Sequence, residues 1–558
     1  MGKAIASCFN PVTGPDKMNT THEMPAVPAE IPLYQGAIMA SYILAHDLGT
    51  SGNKATLFSL DGTMDAGVLY EYPVYYPGPG FVEQKPEDFW QAVCVSTRQL
   101  LEQAKVSPSD VAAVSFSGQM MGCLLVDAQG NALRNIIIWA DTRASGQEAA
   151  MVKALGMDYV YKTTGHRISA SYSAAKLLWV RDHENEIFKH TGKMIHAKDY
   201  IILRLTGNIV SDYSDASGTN LFDLKKKEWD KSILDTLGIP LSMLPDVLPS
   251  TAKAGTVNAQ AARATGLLEG TPVITGGGDG SCACVGAGVV SEGNAYNVLG
   301  SSSWISLASR EPVYDPEMRT FTWVHLDPKF YTPCGTMQAA AYSYNWYKNT
   351  LCSGEIAEAE KKGINPYKLI DEGAAASPAG SGGLLYLPYL LGERSPRWNH
   401  SARGAFVGIS VTTGKGDVSR SVLEGVGFNL RVILDIVEKG APGGKINEMI
   451  MIGGGAKGKA WLRILSDIWQ KRLVVPKYTE EATSLGAAIC GGVGIGAFKD
   501  FSVIRQFNPL LDTIEPDPAQ GPRYKDLYSL FNKTYEVLTG IYSDLAEFNR
   551  KWPSTVKK

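Results

Sequence analysis

The stretch Ile43–Gly62, I-L-A-H-D-L-G-T-S-G-N-K-A-T-L-F-S-L-D-G, decides the reading of this chain. Two apolar runs flank a short polar centre, and Asp61-Gly62 closes the second run. That is the pattern of a β-hairpin with a glycine-rich turn. Gly49 and Gly52 let the backbone fold over an anion with no Cβ in the way. Thr50, Ser51 and the turn amides can donate hydrogen bonds to phosphate oxygens. Asp47 ends the first strand beside that turn. A carboxylate there repels phosphate unless a divalent cation lies between them, so Asp47 is a candidate ligand for Mg²⁺ or its water. The plain alternative is an ordinary hairpin turn.

A second stretch repeats the device. Tyr296–Leu307, Y-N-V-L-G-S-S-S-W-I-S-L, again runs an apolar strand into a small polar turn and back. Leu48-Gly49-Thr50-Ser51 and Leu299-Gly300-Ser301-Ser302 are the same element about half a chain apart. The echo points to two similar lobes, each offering a phosphate-holding turn to a shared cleft.

Composition narrows the class. At 558 residues the chain is too long for a single core. Hydrophobic content of 44% and charged content of 20% are those of an ordinary globular protein. A net charge of −3 supplies no basic field for nucleic acid. No apolar run is long enough to span a bilayer. The eight cysteines form no zinc-ligand set and read as reduced core residues, which suits a cytoplasmic setting. Residues 1–40 are rich in Pro and Thr, lack apolar periodicity and read as a mobile extension.

Along the chain, strands alternate with helices, which argues an α/β architecture. Pro86–Ala104 has helical periodicity. Val111–Phe116 is a buried strand ending in S-G-Q-M-M-G, and Ile136–Trp139 is another, followed by A-D-T-R. Both polar clusters sit at strand ends, where α/β folds place ligands. Gln119, Met120 and Met121 form one, Trp139, Asp141 and Arg143 the other. Amide and carboxylate groups there suit sugar hydroxyls, and the indole suits the C–H face of a sugar. Asp141 can equally cap the following helix, with Arg143 and Glu148 as surface groups. Asp212 and Asp215, in D-Y-S-D-A-S-G, read as turn and capping residues. Pro272–Val289 runs a buried strand into three glycines, Asp279 and a small-residue helix. A lone carboxylate there is placed to act as general base for a hydroxyl, with helix capping as the alternative. Asp371–Gly383 reads as a linker, Leu384–Leu391 as a strand and Asp417–Val437 as a helix. Met449–Ile452, the glycine turn Gly453–Lys459 and a helix from Trp461 make a nucleotide site without the Walker A spacing. The tail from Arg523 reads as an amphipathic helix covering a lobe.

Seven motifs occur in one order: D-L-G-T-S at 47–51, S-G-Q-M at 117–120, W-A-D-T-R at 139–143, G-G-G-D at 276–279, L-G-S-S at 299–302, L-P-Y-L-L-G-E-R-S-P at 387–396 and G-G-G-A-K at 453–457. This ordered set resembles the FGGY carbohydrate kinases, and within them the xylulokinases. The resemblance implies an α/β, two-lobed actin-like ATPase (ribonuclease H-like) fold. Each lobe would hold a five-stranded mixed sheet flanked by helices, with ATP and sugar in the cleft between them. It places the first lobe, with the sugar and phosphoryl site, at 41–290 and the second, with the nucleotide site, at 291–558.

By the same resemblance Asp279 is the base and Asp47 the Mg²⁺-associated carboxylate. Thr50, Ser51 and Lys54 hold the transferred phosphoryl group, and Gly300 with Ser301 the nucleotide phosphates. Gly454, Gly455, Ala456 and Lys459 line the adenosine pocket. The implied reactants are ATP with Mg²⁺ and a ketopentose such as xylulose or a related sugar or polyol, and the implied assembly is a homodimer. Two positions depart from the xylulokinase pattern: Met121 stands where His is usual and Gly280 where Asn is usual. Losing two polar contacts disfavours a ligand that relied on them by a few kcal/mol. Two alternatives differ in class. One is a family member that binds sugar and nucleotide as a sensor, against which stand the retained Asp47 and Asp279. The other is an actin-like ATPase or chaperone, against which stand the sugar-side motifs.

Overall fold

The structure is a computed structural model that describes residues 41–552. The extension expected over residues 1–40 lies outside the described residues. In the opening hairpin, Tyr42–Leu48 (β1) pairs antiparallel with Gly52–Ser59 (β2), with Asp47 opposite Lys54. Met64–Glu71 (β3) extends the hairpin antiparallel to β2. Val111–Gly118 (β4) joins β1 in parallel. Lys253–Thr256 (β5), Pro272–Ile274 (β6) and Gly277–Gly278 (β7) complete the sheet. Its order is β5-β6-β4-β1-β2-β3, with β7 also on β4.

A second sheet repeats this plan. Its strands are Ala295–Leu299 (β8), Ser303–Leu307 (β9), Phe321–Val324 (β10), Tyr331–Met337 (β11), Glu448–Ile452 (β12), Arg472–Pro476 (β13) and Leu510–Ile514 (β14). They lie in the order β10-β11-β9-β8-β12-β13-β14. Five strands correspond one to one: β6-β4-β1-β2-β3 in the first sheet, β13-β12-β8-β9-β11 in the second. Within each five, the hairpin edges are antiparallel and the other pairings parallel. The short echo in sequence is thus a duplication of topology. Both sheets have seven strands where five were expected. The additions include an antiparallel strand at the same edge of each, β5 on β6 and β14 on β13, covering what would be an open parallel edge.

Helices cover the sheets. Pro86–Ala104 (α1) starts with Pro in its first turn and buries Phe89, Val93, Leu100 and Leu101. Ala197–Thr206 (α2) packs in the same core. Asp279–Gly286 (α3) leads from the first sheet to the second. Lys415–Val437 (α4) and Lys459–Trp469 (α5) fill the second core. Ala482–Gly494 (α6) belongs to the second half by sequence but packs in one core with Ile43, Ala45 and Ala113 of the first sheet. It crosses α3 at backbone contact: a Cβ on Gly286 would lie 1.6 Å from the Ala482 carbonyl oxygen. Small residues are required at this seam because nothing larger fits. Gly521–Lys551 (α7) buries Tyr524, Phe531, Tyr535 and Tyr542 against the second half, as the amphipathic tail predicts. Among the described residues no helix is long and apolar enough to cross a membrane.

Two local expectations fail. The linker expected over Asp371–Gly383 is half helix, because Pro366–Ala376 is capped by Asn365 and carries the buried pair Ile370 and Ala374. The Asn-Pro start and the Ala-rich run favour helix over linker. The strand expected over Leu384–Leu391 is confined to Leu385–Leu387, which pairs with Ala405–Val407.

Candidate active site

The two small polar turns meet at one cavity of about 270 Å³, where Thr50 and Ser302 line the walls together with Asp279. Register explains the convergence. Asp47 is the partner of Ser117 across β1 and β4, and Ser117 is the partner of Gly277 across β4 and β7. The next row is Leu48, Gly118 and Gly278, and Asp279 follows at the start of α3. The strand ends therefore bring both carboxylates to one rim.

Asp279 is only partly covered, and the Gly280 amide donates to its Oδ1 at 2.7 Å. Burial, and then the negative Asp47 nearby, push its carboxyl up to about 7. Asp47 accepts from the Ser117 hydroxyl at 2.8 Å, and burial raises its carboxyl as well. That single hydrogen bond engages one oxygen and leaves the other for a cation. Hard carboxylate oxygen beside a turn of amides and hydroxyls fits Mg²⁺.

The first turn is braced from below. Tyr72 donates to the Gly49 carbonyl at 2.6 Å and Gln84 to the Thr50 carbonyl at 2.7 Å. Gln119 donates to Gln84 at 2.7 Å and to Gly49 at 3.3 Å. Gln119 thus braces the turn and does not line the cavity. Met120, Met121, Trp139 and Gly280 do line it. Asp141 does neither thing expected of it. Its oxygens accept from the Val82 amide at 2.6 Å and from Arg143, and the helix after it has no side-chain cap. Chelation by Arg143 won because Asp141 is fully buried and needs a paired charge, and the Arg143 side chain, expected at the surface, is buried with it.

The remaining expected residues sit at the second turn and beyond. The Ala341 amide donates to the Gly300 carbonyl at 3.0 Å and the Ala340 amide to Ser301 at 2.9 Å, fixing this turn on the following helix. Gly454, Gly455 and Ala456 form a single 3₁₀ turn after β12, with Gly453 at φ +87°. A Cβ on Gly455 would lie 2.5 Å from Leu299, so this turn packs directly beside the end of β8. Lys459 is exposed and pairs with Asp512 at 3.2 Å. Lys54 pairs with Glu481, just before α6, at 3.1 Å and does not line the cavity. Ser51 is exposed at the tip of its turn.

Several lining residues escape the sequence reading: Tyr296, Trp304, Phe321, Trp323 and Arg394. Trp304 donates to the Tyr296 hydroxyl at 3.0 Å, which donates to the Gly280 carbonyl at 2.8 Å. Trp304 was visible in S-S-S-W, but only as a strand residue. Arg394 is the one cation lining the cavity, and among the described residues no carboxylate lies within ion-pair distance of it. Beneath the wall, buried Lys176 donates to the Met121 carbonyl at 2.8 Å. Met121 is held at φ +63°, and burial pulls the Lys176 ammonium down to about 7.

The reading of Asp212 and Asp215 needs correcting. Asp212 does cap a turn, accepting from the Ser214 amide at 2.9 Å. Both carboxylates also join a fully buried ion cluster. Lys198 lies 2.8 Å from Asp199, 3.1 Å from Asp212 and 3.5 Å from Asp215, with His196 alongside. The cluster joins α2 to the strand Val210–Asp212 and the short helix Tyr213–Ala216 that follow it, and only the fold back of that segment onto α2 brings the charges together.

Comparison with known proteins agrees with this geometry. Residues 42–286 match the N-terminal domain of the FGGY family of carbohydrate kinases, and residues 295–495 match its C-terminal domain. The chain is 32% identical to xylulose kinase of Bacillus subtilis, over 91% of this chain and 99% of that one. It is 31% identical to gluconokinase of the same organism, over 92% and 99%. The fold matches the ligand-bound xylulose kinase from Lactobacillus acidophilus at a TM-score of 0.83 and 28% identity, covering 90% of this chain and 99% of that one. It matches gluconate kinase from L. acidophilus at a TM-score of 0.84 and 28% identity, with the same coverage. Duplicated sheets, a cleft between two polar turns and both domains in order lead to one conclusion: the chain belongs to the FGGY family of carbohydrate kinases.

Proposed function

We propose that this kinase transfers the γ-phosphoryl group of ATP to a hydroxyl of a ketopentose such as xylulose, or of a related sugar, with Asp279 as general base. The observation that carries the reading is the position of Asp279: it lines the cavity between the Thr50 and Ser302 turns, with its carboxyl raised to about 7. A carboxylate of that basicity takes the hydroxyl proton as the sugar oxygen attacks the γ-phosphorus and ADP leaves. Thr50, Ser51 and Lys54 would hold the moving phosphoryl group, Gly300 and Ser301 the nucleotide phosphates, and Gly454, Gly455, Ala456 and Lys459 the adenosine. Mg²⁺ on Asp47 would neutralise charge between the phosphates. Lys54 must leave Glu481 to take its part. Met120, Met121, Trp139 and Gly280 would contact the sugar. A cytoplasmic homodimer fits this reading.

A second substrate class has its own support. Arg394 faces the cavity with no carboxylate partner, and a partly buried guanidinium favours an anionic ligand. A sugar acid meets that demand, and one of the similar enzymes is a gluconokinase. A screen of ATP consumption with Mg²⁺ against D-xylulose, L-xylulose, ribulose, erythritol, glycerol and gluconate separates the two. Turnover of a ketose alone supports the first reading, turnover of gluconate alone the second. No turnover of any of them, with ATP bound, favours the sensor alternative.

A further inference from the structure

The buried ion cluster connects to the residue next to Asp279 through one ion pair and two hydrogen bonds in series. Lys198 holds Oδ1 of Asp212 at 3.1 Å. Oδ2 of Asp212 accepts from the Ser214 hydroxyl at 2.5 Å, and also from the Ser214 amide at 2.9 Å and Ser250 at 2.8 Å. The Ser214 oxygen in turn accepts from the Gly278 amide at 2.9 Å. Asp279 is the next residue, and the cluster is fully buried throughout.

The backbone here needs such a restraint. Gly276-Gly277-Gly278 has no side chains to fix it, and glycine is the least conformationally restricted residue. β7 is only two residues long. The strand fits between two walls: a Cβ on Gly277 would lie 2.7 Å from the Ser214 oxygen, and one on Gly278 2.5 Å from Met120 Sδ. Ser214 is thus the polar floor under a strand whose other face meets the sugar-side methionine.

We propose that Ser214 is a positioning residue for phosphoryl transfer, carrying the fixed position of the Lys198–Asp212 pair to Gly278 and so to the Asp279 carboxylate. The proposal rests on the reading of Asp279 as base. A base misplaced by less than 1 Å loses rate in the reaction step while the binding surfaces stay intact. Ser250 supplies the internal control. Its hydroxyl donates to the same Asp212 oxygen and is not the acceptor of the Gly278 amide, and its carbonyl, which accepts from the Gly276 amide at 3.0 Å, survives substitution by Ala, so the side chain shares the structural role and lacks the positional one.

The test compares full-length Ser214→Ala, Ser250→Ala and Asp279→Asn with the parent chain. Each is assayed with MgATP and D-xylulose, or with gluconate if that is the acceptor turned over. Both serine variants remove one hydrogen bond from buried Asp212, and Ser214→Ala also removes the acceptor of the Gly278 amide, so it should lose more Tm than Ser250→Ala. Ser214→Ala should lower kcat about tenfold or more, with KM for sugar and ATP within about twofold, since positioning acts on the reaction step. Ser250→Ala should keep kcat within about twofold. Equal kcat in the two serine variants, or a loss in Ser214→Ala confined to KM, overturns the positioning role. An active Asp279→Asn overturns the base reading instead, whatever the serines do.

Discussion

The indole N–H of Trp139 donates to Oγ1 of Thr50 at 2.9 Å, tying a wall of the cavity to the turn expected to hold the phosphoryl group. One side chain thus couples the two halves of the reaction. Trp139→Phe keeps most of the aromatic surface and loses this bond. We expect kcat/KM for the sugar to fall about tenfold, the worth of one well-placed hydrogen bond, with little change in ATP affinity. Steady-state kinetics with each substrate varied in turn measures the split.

Met121 stands in the left-handed region, and Lys176 holds its carbonyl there. Lys176→Met removes the only charge in that pair, so the backbone can relax to an ordinary conformation and the wall moves. KM for the sugar should rise about tenfold or more while the KM for ATP stays within about twofold, because the change lies on the sugar side. Restored sugar affinity in a Lys176→Arg variant would support the hydrogen bond as the cause.

The carboxyl of Asp279 is raised to about 7 from an ordinary value of 3.8. Below pH 7 it takes up a proton and ceases to be a base, so kcat/KM should fall tenfold per pH unit on the acid limb. The sign for stability is the reverse. Above pH 7 the folded protein holds an ionised, partly buried carboxylate that the unfolded chain solvates better, so the group costs stability there. The cost fades as pH falls from about 7 towards 4. Asp279→Asn should therefore melt higher than the parent chain at pH 8 without nucleotide, and the gap should close near pH 4.

The seam between the two halves makes a further prediction. A Cβ on Gly486 would lie 1.9 Å from the Cys282 carbonyl oxygen. Gly486→Ala must push α6 away from α3, at a cost of about 3 kcal/mol or more. Denaturant midpoints measure it. Because the seam links both sheets, kcat should fall in the same variant.

Much of this was legible before the structure. Leu48–Ser51 and Leu299–Ser302 foretold two sheets with one plan, since a strand-turn-strand signal is local and its repetition survives divergence. The helix over Pro86–Ala104 followed from its proline start and apolar spacing. What the sequence hid was the choice between local partners, and the long-range contacts. Nothing local marks Asp141 as the partner of Arg143 under a buried wall, because capping and chelation use the same residue types. Lys198 meets Asp212 only after two chain segments are folded together. Trp304, Trp323 and Phe321 alternate as strand residues do, and only the register shows which face looks into the cavity. Asp371–Gly383 reads as a linker from its Gly, Ala and Ser content, because the asparagine cap that starts the helix Pro366–Ala376 lies outside that stretch.

The central claim is that Asp279 takes the proton from the attacking hydroxyl. The direct measurement is single-turnover phosphoryl transfer by Asp279→Asn at saturating MgATP and sugar, with ATP binding measured separately. The account predicts that the variant binds ATP as the parent chain does and transfers the phosphoryl group about 10²–10⁴-fold more slowly, the usual worth of a general base. Transfer within a few-fold of the parent rate, with ATP binding unchanged, would contradict it.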